Sequence, residues 1–152
     1  MRPIRNSAKA LLIQNDKILL TKNKDDFGYF YLFPGGGQEH GEELKDAVER
    51  ECLEEIGQKV IVGDLVYVRE YIGKNHEFSE WDSEVHQVEF YFTCSFASIA
   101  PSFGEGTNPD KDQVGVEWIE IKKLDEIRLY PRALGKSIKQ NEIEIHYFGD
   151  VN

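Results

Sequence analysis

Two cysteines in a chain of 152 residues, Cys52 and Cys94, are too few for a disulfide framework and lack the paired spacing of a zinc site. Each has apolar neighbours and is expected in the core. Lysine and arginine form no cluster, and the formal net charge is −10. A polymeric nucleic acid is therefore a disfavoured partner, since such binders display a basic stripe. Long apolar runs are also missing. The N-terminal stretch MRPIRNSAKALLIQNDKILL is broken by Gln14, Asn15, Asp16 and Lys17, so neither a signal peptide nor a membrane span is expected. His76 and His86 have no partner at metal-ligand spacing. There is no repeat, low-complexity tract or linker. What remains is a reduced, cytoplasmic protein forming one domain over residues 1–152, monomeric or homodimeric. Its composition, 40% hydrophobic and 30% charged, is that of a soluble globular chain.

The informative segment runs from Gly36 to Gln58 and reads GGQEHGEELKDAVERECLEEIGQ. Residues 42 to 56 have no proline or glycine and are rich in Glu, Leu, Ala and Lys, which favours a helix. Glycines precede it, Glu42 and Glu43 complement the positive end of its dipole, and Gly57 offers a left-handed stop. Leu44, Val48, Cys52 and Ile56 make an apolar stripe at four-residue intervals. At about 100° per residue, Glu51, Glu54 and Glu55 share one arc beside that stripe. Like charges so placed repel one another, and a hard divalent cation would relieve them, because Mg2+ prefers oxygen ligands. Arg50 is four residues from both Asp46 and Glu54 and can fork a carboxylate. A solvated acidic face is the bland alternative. The coincidence of the glycine lead-in, Glu42, Arg50 and Gly57 with the three carboxylates argues against it.

This segment resembles the signature box of the Nudix hydrolases, G-x5-E-x7-R-E-U-x-E-E-x-G-U, where U is bulky and apolar. All the charged and glycine positions match. Cys52 fills the first U, and Gln58 departs from the last. The resemblance implies an α/β fold, an α/β/α sandwich around a mixed sheet, and a Mg2+-dependent (or Mn2+-dependent) pyrophosphohydrolase of MutT-like kind. Metal would be held by Glu51, Glu54, Glu55 and Gly36. Catalysis would rest on Glu51, Glu54, Arg50 and Glu42. The substrate would be a small nucleotide, a nucleoside diphosphate linked to another group such as ADP-ribose. Alternatives are an oxidised or ordinary nucleoside triphosphate, or a sensing module without turnover.

Around the box, Ala8–Ile13 and Lys17–Lys22 read as a hairpin turning at 14–16. Lys59–Tyr71 is a strand pair or one bent strand, and Glu84–Phe96 is the strongest strand. Further expectations are a strand over Gly115–Ile121, a helical turn to Ile127, a helix starting near Pro131 and a strand over Glu142–Phe148. Gly35, Gly36 and Gly37 allow close approach of a ligand. Arg5, Arg69, Glu70 and Glu89 are further candidates for the pocket. Glu89 is singled out because it sits among apolar residues, where an unpaired carboxylate is costly. Glu105, Asp110 and Asp112, in the long loop over 97–112, are candidates for an additional acid. Tyr29 and Tyr31 are placed at the core and its rim, with stacking on a base as the alternative, and Phe78 and Trp81 in an exposed loop that covers a nucleotide.

Overall fold

Strand β1 (Arg5–Gln14) enters β2 (Lys17–Asp25) through Asn15 and Asp16, whose φ values are 51° and 61°. Two left-handed residues in a two-residue loop match the twist of a hairpin, and Asn and Asp tolerate that conformation. The computed structural model describes residues 2–98 and 113–152. Its strands continue with β3 (Gly28–Leu32), β4 (Gly35–Gly37), β5 (Val60–Ile72), β6 (His86–Phe96), β7 (Gln113–Glu120), β8 (Leu129–Tyr130) and β9 (His146–Asp150). They form one mixed sheet in the order β8-β3-β2-β1-β6-β5-β9, with β4 beside β1 and β7 beside β2. β1 and β6 run parallel at its centre.

Alternation along β1 divides the core. Ala8, Ala10 and Leu12 face helix α1 (Leu44–Ile56), while Leu11 faces the other side, where helix α3 (Arg132–Lys139) and the 3-10 helix Ile121–Glu126 pack. The result is an α/β/α sandwich. Helix α1 buries Ala47, Val48, Cys52 and Ile56 completely. Each large aliphatic among them contributes about 1.5–3 kcal/mol. Leu44, at the helix start, is only half-buried. Gly57 ends the helix at φ 68°, its N–H returning to the Leu53 carbonyl at 3.1 Å.

Several expected elements move. The helix starts at Leu44 rather than Glu42, with Glu43 as its cap. The glycine run is a strand, because its backbone pairs with β1 from Ser7 to Lys9. Lys59–Tyr71 resolves into the single strand β5, irregular between Val62 and Tyr67. Pro131 caps α3 from outside. The last strand starts four residues later than the alternation over 142–148 suggests. A short helix, α2 (Ser79–Asp82), interrupts the polar stretch before β6. Among the described residues no helix is long and apolar enough to cross a membrane.

Candidate active site

The site is built where the entry of α1 meets the glycine strand. Glu42 lies just before the helix, and its Oε1 accepts the Glu39 N–H at 3.0 Å. Arg50, two turns along α1, reaches back and forks it: Nε donates to Oε2 at 2.8 Å and Nη2 to Oε1 at 3.0 Å. Nη1 of the same guanidinium donates to Glu51 at 2.9 Å and to Glu54 at 3.3 Å, and Nη2 also reaches the Gly37 carbonyl at 2.9 Å. One arginine therefore hydrogen-bonds three carboxylates and the end of the glycine strand, with Glu39 a fourth, looser partner at 3.8 Å. Asp46, a partner that spacing allows, is not among its partners; the fork is taken by Glu42, whose loop folds over the first turn.

The glycines are needed for contact rather than for a turn. A Cβ on Gly36 would stand 2.6 Å from Cδ of Glu51. Gly35, at φ 137°, would drive a side chain into the Ala8 carbonyl. On the opposite face of the strand, the Arg5 guanidinium occupies the space a side chain on Gly37 would take. The strand is thus a thin wall with the Glu51 carboxylate on one side and the Arg5 cation on the other.

Glu55 lies on the sheet side of the same arc. It is only 4% exposed, and its Oε2 accepts the Gly35 N–H at 3.1 Å. At position i+4 from Glu51 it turns toward the sheet and ties helix to glycine strand. Glu51 and Glu54 remain partly open, at 15% and 29% side-chain exposure. Burial raises the Glu51 carboxyl above its ordinary pKa, partly offset by Arg50. The Arg50 fork lowers that of Glu42 against a smaller opposing effect of burial.

These groups fit a divalent cation by chemistry. Glu51 and Glu54 offer hard oxygens side by side, and Gly36, having no side chain, lets the Glu51 carboxylate lie against the glycine strand. Among the described residues no three Asp, Glu, His or Cys side chains close into a metal cage.

The NUDIX domain pattern matches residues 3–140. The chain belongs to the Nudix family. It is 35% identical over 99 residues to the nucleoside triphosphatase NudI of Escherichia fergusonii, a match covering 57% of this chain and 66% of that protein. The NudI protein of Salmonella arizonae is 32% identical over the same shares. The match thus spans slightly less than two-thirds of these relatives. Among solved structures, a NUDIX hydrolase from Nitrosomonas europaea superposes with a TM-score of 0.71 at 19% identity, covering 94% of this chain and 93% of that one. An ADP-ribose pyrophosphatase from Streptococcus suis superposes at 0.63 with 20% identity, covering 97% and 98%. At such identities the likeness speaks for the Nudix fold.

The other candidates divide. Glu89 is buried yet paired: its Oε1 accepts Arg69 Nε at 2.7 Å and the Tyr91 hydroxyl at 2.6 Å. Burial pushes its pKa up, but Arg69 and Lys9 together with these hydrogen bonds hold it below the usual carboxylate value. Glu70 points to the opposite face of β5, bonded to His86 at 2.8 Å and to the Tyr147 hydroxyl, away from the glycine strand. Tyr31 enters the core, while Tyr29 stays half-exposed under Lys22. Phe78 is half-buried against Tyr130, correcting its placement on the surface, whereas Trp81 is exposed. Glu105, Asp110 and Asp112 lie outside the described residues.

Sequence reasoning missed a second assembly around Arg128. Its fork takes both oxygens of Asp25, at 2.9 and 2.7 Å, and its guanidinium lies 5.1–5.9 Å from the ring centres of Phe27, Phe30, Phe78 and Tyr130. Asp25 and Arg128 are 103 positions apart, so no local pattern could pair them.

Proposed function

We propose that this chain is a single-domain, divalent-cation-dependent pyrophosphohydrolase that splits the diphosphate of a small nucleotide by attack of water on phosphorus. The observation that carries this is the Arg50 cluster: Glu42, Glu51 and Glu54 held by one guanidinium against Gly36 and Gly37. Glu51 and Glu54 would hold the cation, with the backbone of Gly36 beside them, and Glu55 would position the glycine strand through Gly35. When bound, the cation neutralises the diphosphate and lowers the pKa of a coordinated water. Arg50 and Glu42 keep the carboxylates in place, and a carboxylate of the cluster takes the proton from the attacking water. The oxygen of water joins one phosphorus, the bridging P–O bond breaks, and the second phosphate leaves with the bridging oxygen. Arg5, exposed beside Gly37 and without an ion-pair partner among the described residues, supplies positive charge for a phosphate on the far side of the strand.

The first reading of the substrate is a nucleoside diphosphate joined to a second group, as in ADP-ribose, one of several classes with which the box is compatible. A nucleoside triphosphate is the second reading, favoured by the names of the NudI relatives. A panel of both classes with Mg2+, followed by phosphate release with and without added phosphatase, decides. ADP-ribose should give AMP and ribose 5-phosphate, with phosphate appearing only after phosphatase. A triphosphate should give a monophosphate and diphosphate. Loss of metal-dependent turnover across the whole panel would overturn the proposal.

A further inference from the structure

Basic residues that the sequence disperses are gathered by helix α3. Residues 121–140 hold six of the 18 basic residues and two of the 28 acidic ones, a net charge of +4 in a chain of −10. Arg132, Lys136 and Lys139, at i, i+4 and i+7, share one exposed face of α3. That face borders a cavity of about 430 Å³ between α3 and the segment Leu124 to Ile127, where Leu124 and Ile127 supply an apolar lining. Gly135 also borders it, and a Cβ there would meet Leu129 at 3.0 Å, so α3 packs close on this layer and adds no side chain to the cavity at that position. The cavity shares no lining residue with the aromatic cleft that holds Arg69 and Glu89, nor with the Arg50 cluster.

The three cations are not equally engaged. Lys139 Nζ lies 3.0 Å from Asp125 Oδ2, across the cavity on the 3-10 helix. The side chains of Arg132 and Lys136 have no ion-pair or hydrogen-bond partner among the described residues; Arg132 lies 5.4 Å from the Tyr130 ring centre. Two uncompensated positive charges therefore border an apolar-floored cavity. A phosphate monoester, with a charge of about −1.5 to −2 at neutral pH, matches both. A carboxylate matches one. Arg132 and Lys136 are about 6 Å apart along the helix axis, a span that two long side chains close around one phosphate. The arginine fork suits phosphate oxygens. Leu124 and Ile127 call for an organic body on the ester, and the volume falls in the range of about 300–1,000 Å³ usual for small-molecule sites. An extended polyanion fits less well, because Asp125 on the facing wall interrupts the positive charge where a stripe would have to continue.

We propose that this cavity is a second ligand site, separate from the carboxylate cluster, for a small phosphate monoester with an apolar body. Arg132 and Lys136 hold the phosphate, and Leu124 and Ile127 cover the body. The site does not depend on the chemistry proposed for the Arg50 cluster.

The test is an amide NMR titration of the whole chain, without divalent metal, with phenyl phosphate, inorganic phosphate and benzoate. Phenyl phosphate should move the amides of Leu124, Gly135, Lys136 and Lys139 and saturate them with a dissociation constant of about 1 mM or tighter. Inorganic phosphate lacks the apolar body and benzoate lacks the second charge; each should bind about tenfold more weakly. Lys136→Gln should weaken phenyl phosphate about tenfold with an unchanged melting temperature, since Lys136 is exposed. Lys136→Arg should retain binding, and Arg132→Gln combined with Lys136→Gln should abolish it. No shift of these amides at millimolar phenyl phosphate overturns the inference, as do shifts confined to the glycine strand and α1, or undiminished binding in Lys136→Gln. Benzoate binding as tightly as phenyl phosphate overturns the dianion, and inorganic phosphate binding as tightly overturns the apolar body.

Discussion

Arg50 holds both carboxylate oxygens of Glu42, at 2.8 and 3.0 Å, across eight residues of chain. Glu42 stands before the helix and Arg50 two turns within it, so this fork fixes the angle at which the loop after the glycines meets α1. The remaining guanidinium nitrogen then sets Glu51 and Glu54.

A planar fork is what lysine lacks. Arg50→Lys should therefore keep the fold but lose the geometry, lowering kcat on the order of a hundredfold. Glu42→Gln, which keeps one acceptor oxygen, should fall less. Turnover measured beside circular dichroism melting checks this, and equal activity in Arg50→Lys would remove the fork from the machinery.

Adjacent glycines should fail in different ways. Gly36→Ala places a methyl 2.6 Å from the Glu51 carboxyl carbon, and a side chain can move aside. Activity should drop sharply with little change in stability. Gly35→Ala meets backbone at Ala8 and a φ of 137° that alanine avoids, so the soluble folded fraction should drop instead. Denaturant melts of both variants separate the two outcomes.

Metal should act on the native state. With Mg2+ at about a hundred times its dissociation constant, stabilisation should reach roughly 2.7 kcal/mol. The combined change Glu51→Gln with Glu54→Gln should abolish the rise in melting temperature without unfolding the chain, since both side chains are partly open. Glu55→Ala alone should cost stability, because the buried Gly35 N–H then loses its acceptor. A wild-type melt unmoved by millimolar Mg2+ and Mn2+ would count against the site.

Acid should weaken the Arg69–Glu89 pair. Glu89 has its pKa lowered in the fold, below the ~4.3 of an unfolded glutamate. A lowered carboxylate stabilises the fold fully above the unfolded value, and that contribution is lost as pH falls through the folded value. Arg69→Met leaves a buried charge without its partner and should cost about 3–5 kcal/mol at neutral pH. In that variant the Glu89 pKa should rise, so the acid limb should flatten or reverse. Chemical denaturation from pH 7 to pH 3 measures both slopes.

Local pattern was sufficient for the hairpin, the box helix and its glycine stop, because each depends on residues within a few positions of one another. Spacing also placed Glu51 and Glu54 together on one face. The same spacing put Glu55 with them, and tertiary structure added its burial and its bond to the glycine strand: Gly35 presents an N–H that a neighbouring carboxylate satisfies once the region is buried. Arg50 chose Glu42 over Asp46 for a similar reason, since a folded-back loop brought two oxygens to its fork. The pairing of Glu89 with Arg69, and of Asp25 with Arg128 beneath four rings, arises only from strand register and from segments far apart in the chain. The box and its helix were therefore determined by the sequence alone, because periodicity records short-range contacts. Which carboxylates stay open, and what the pocket beside them displays, were decided by tertiary structure, because burial and cross-strand neighbours set the partner of every polar group.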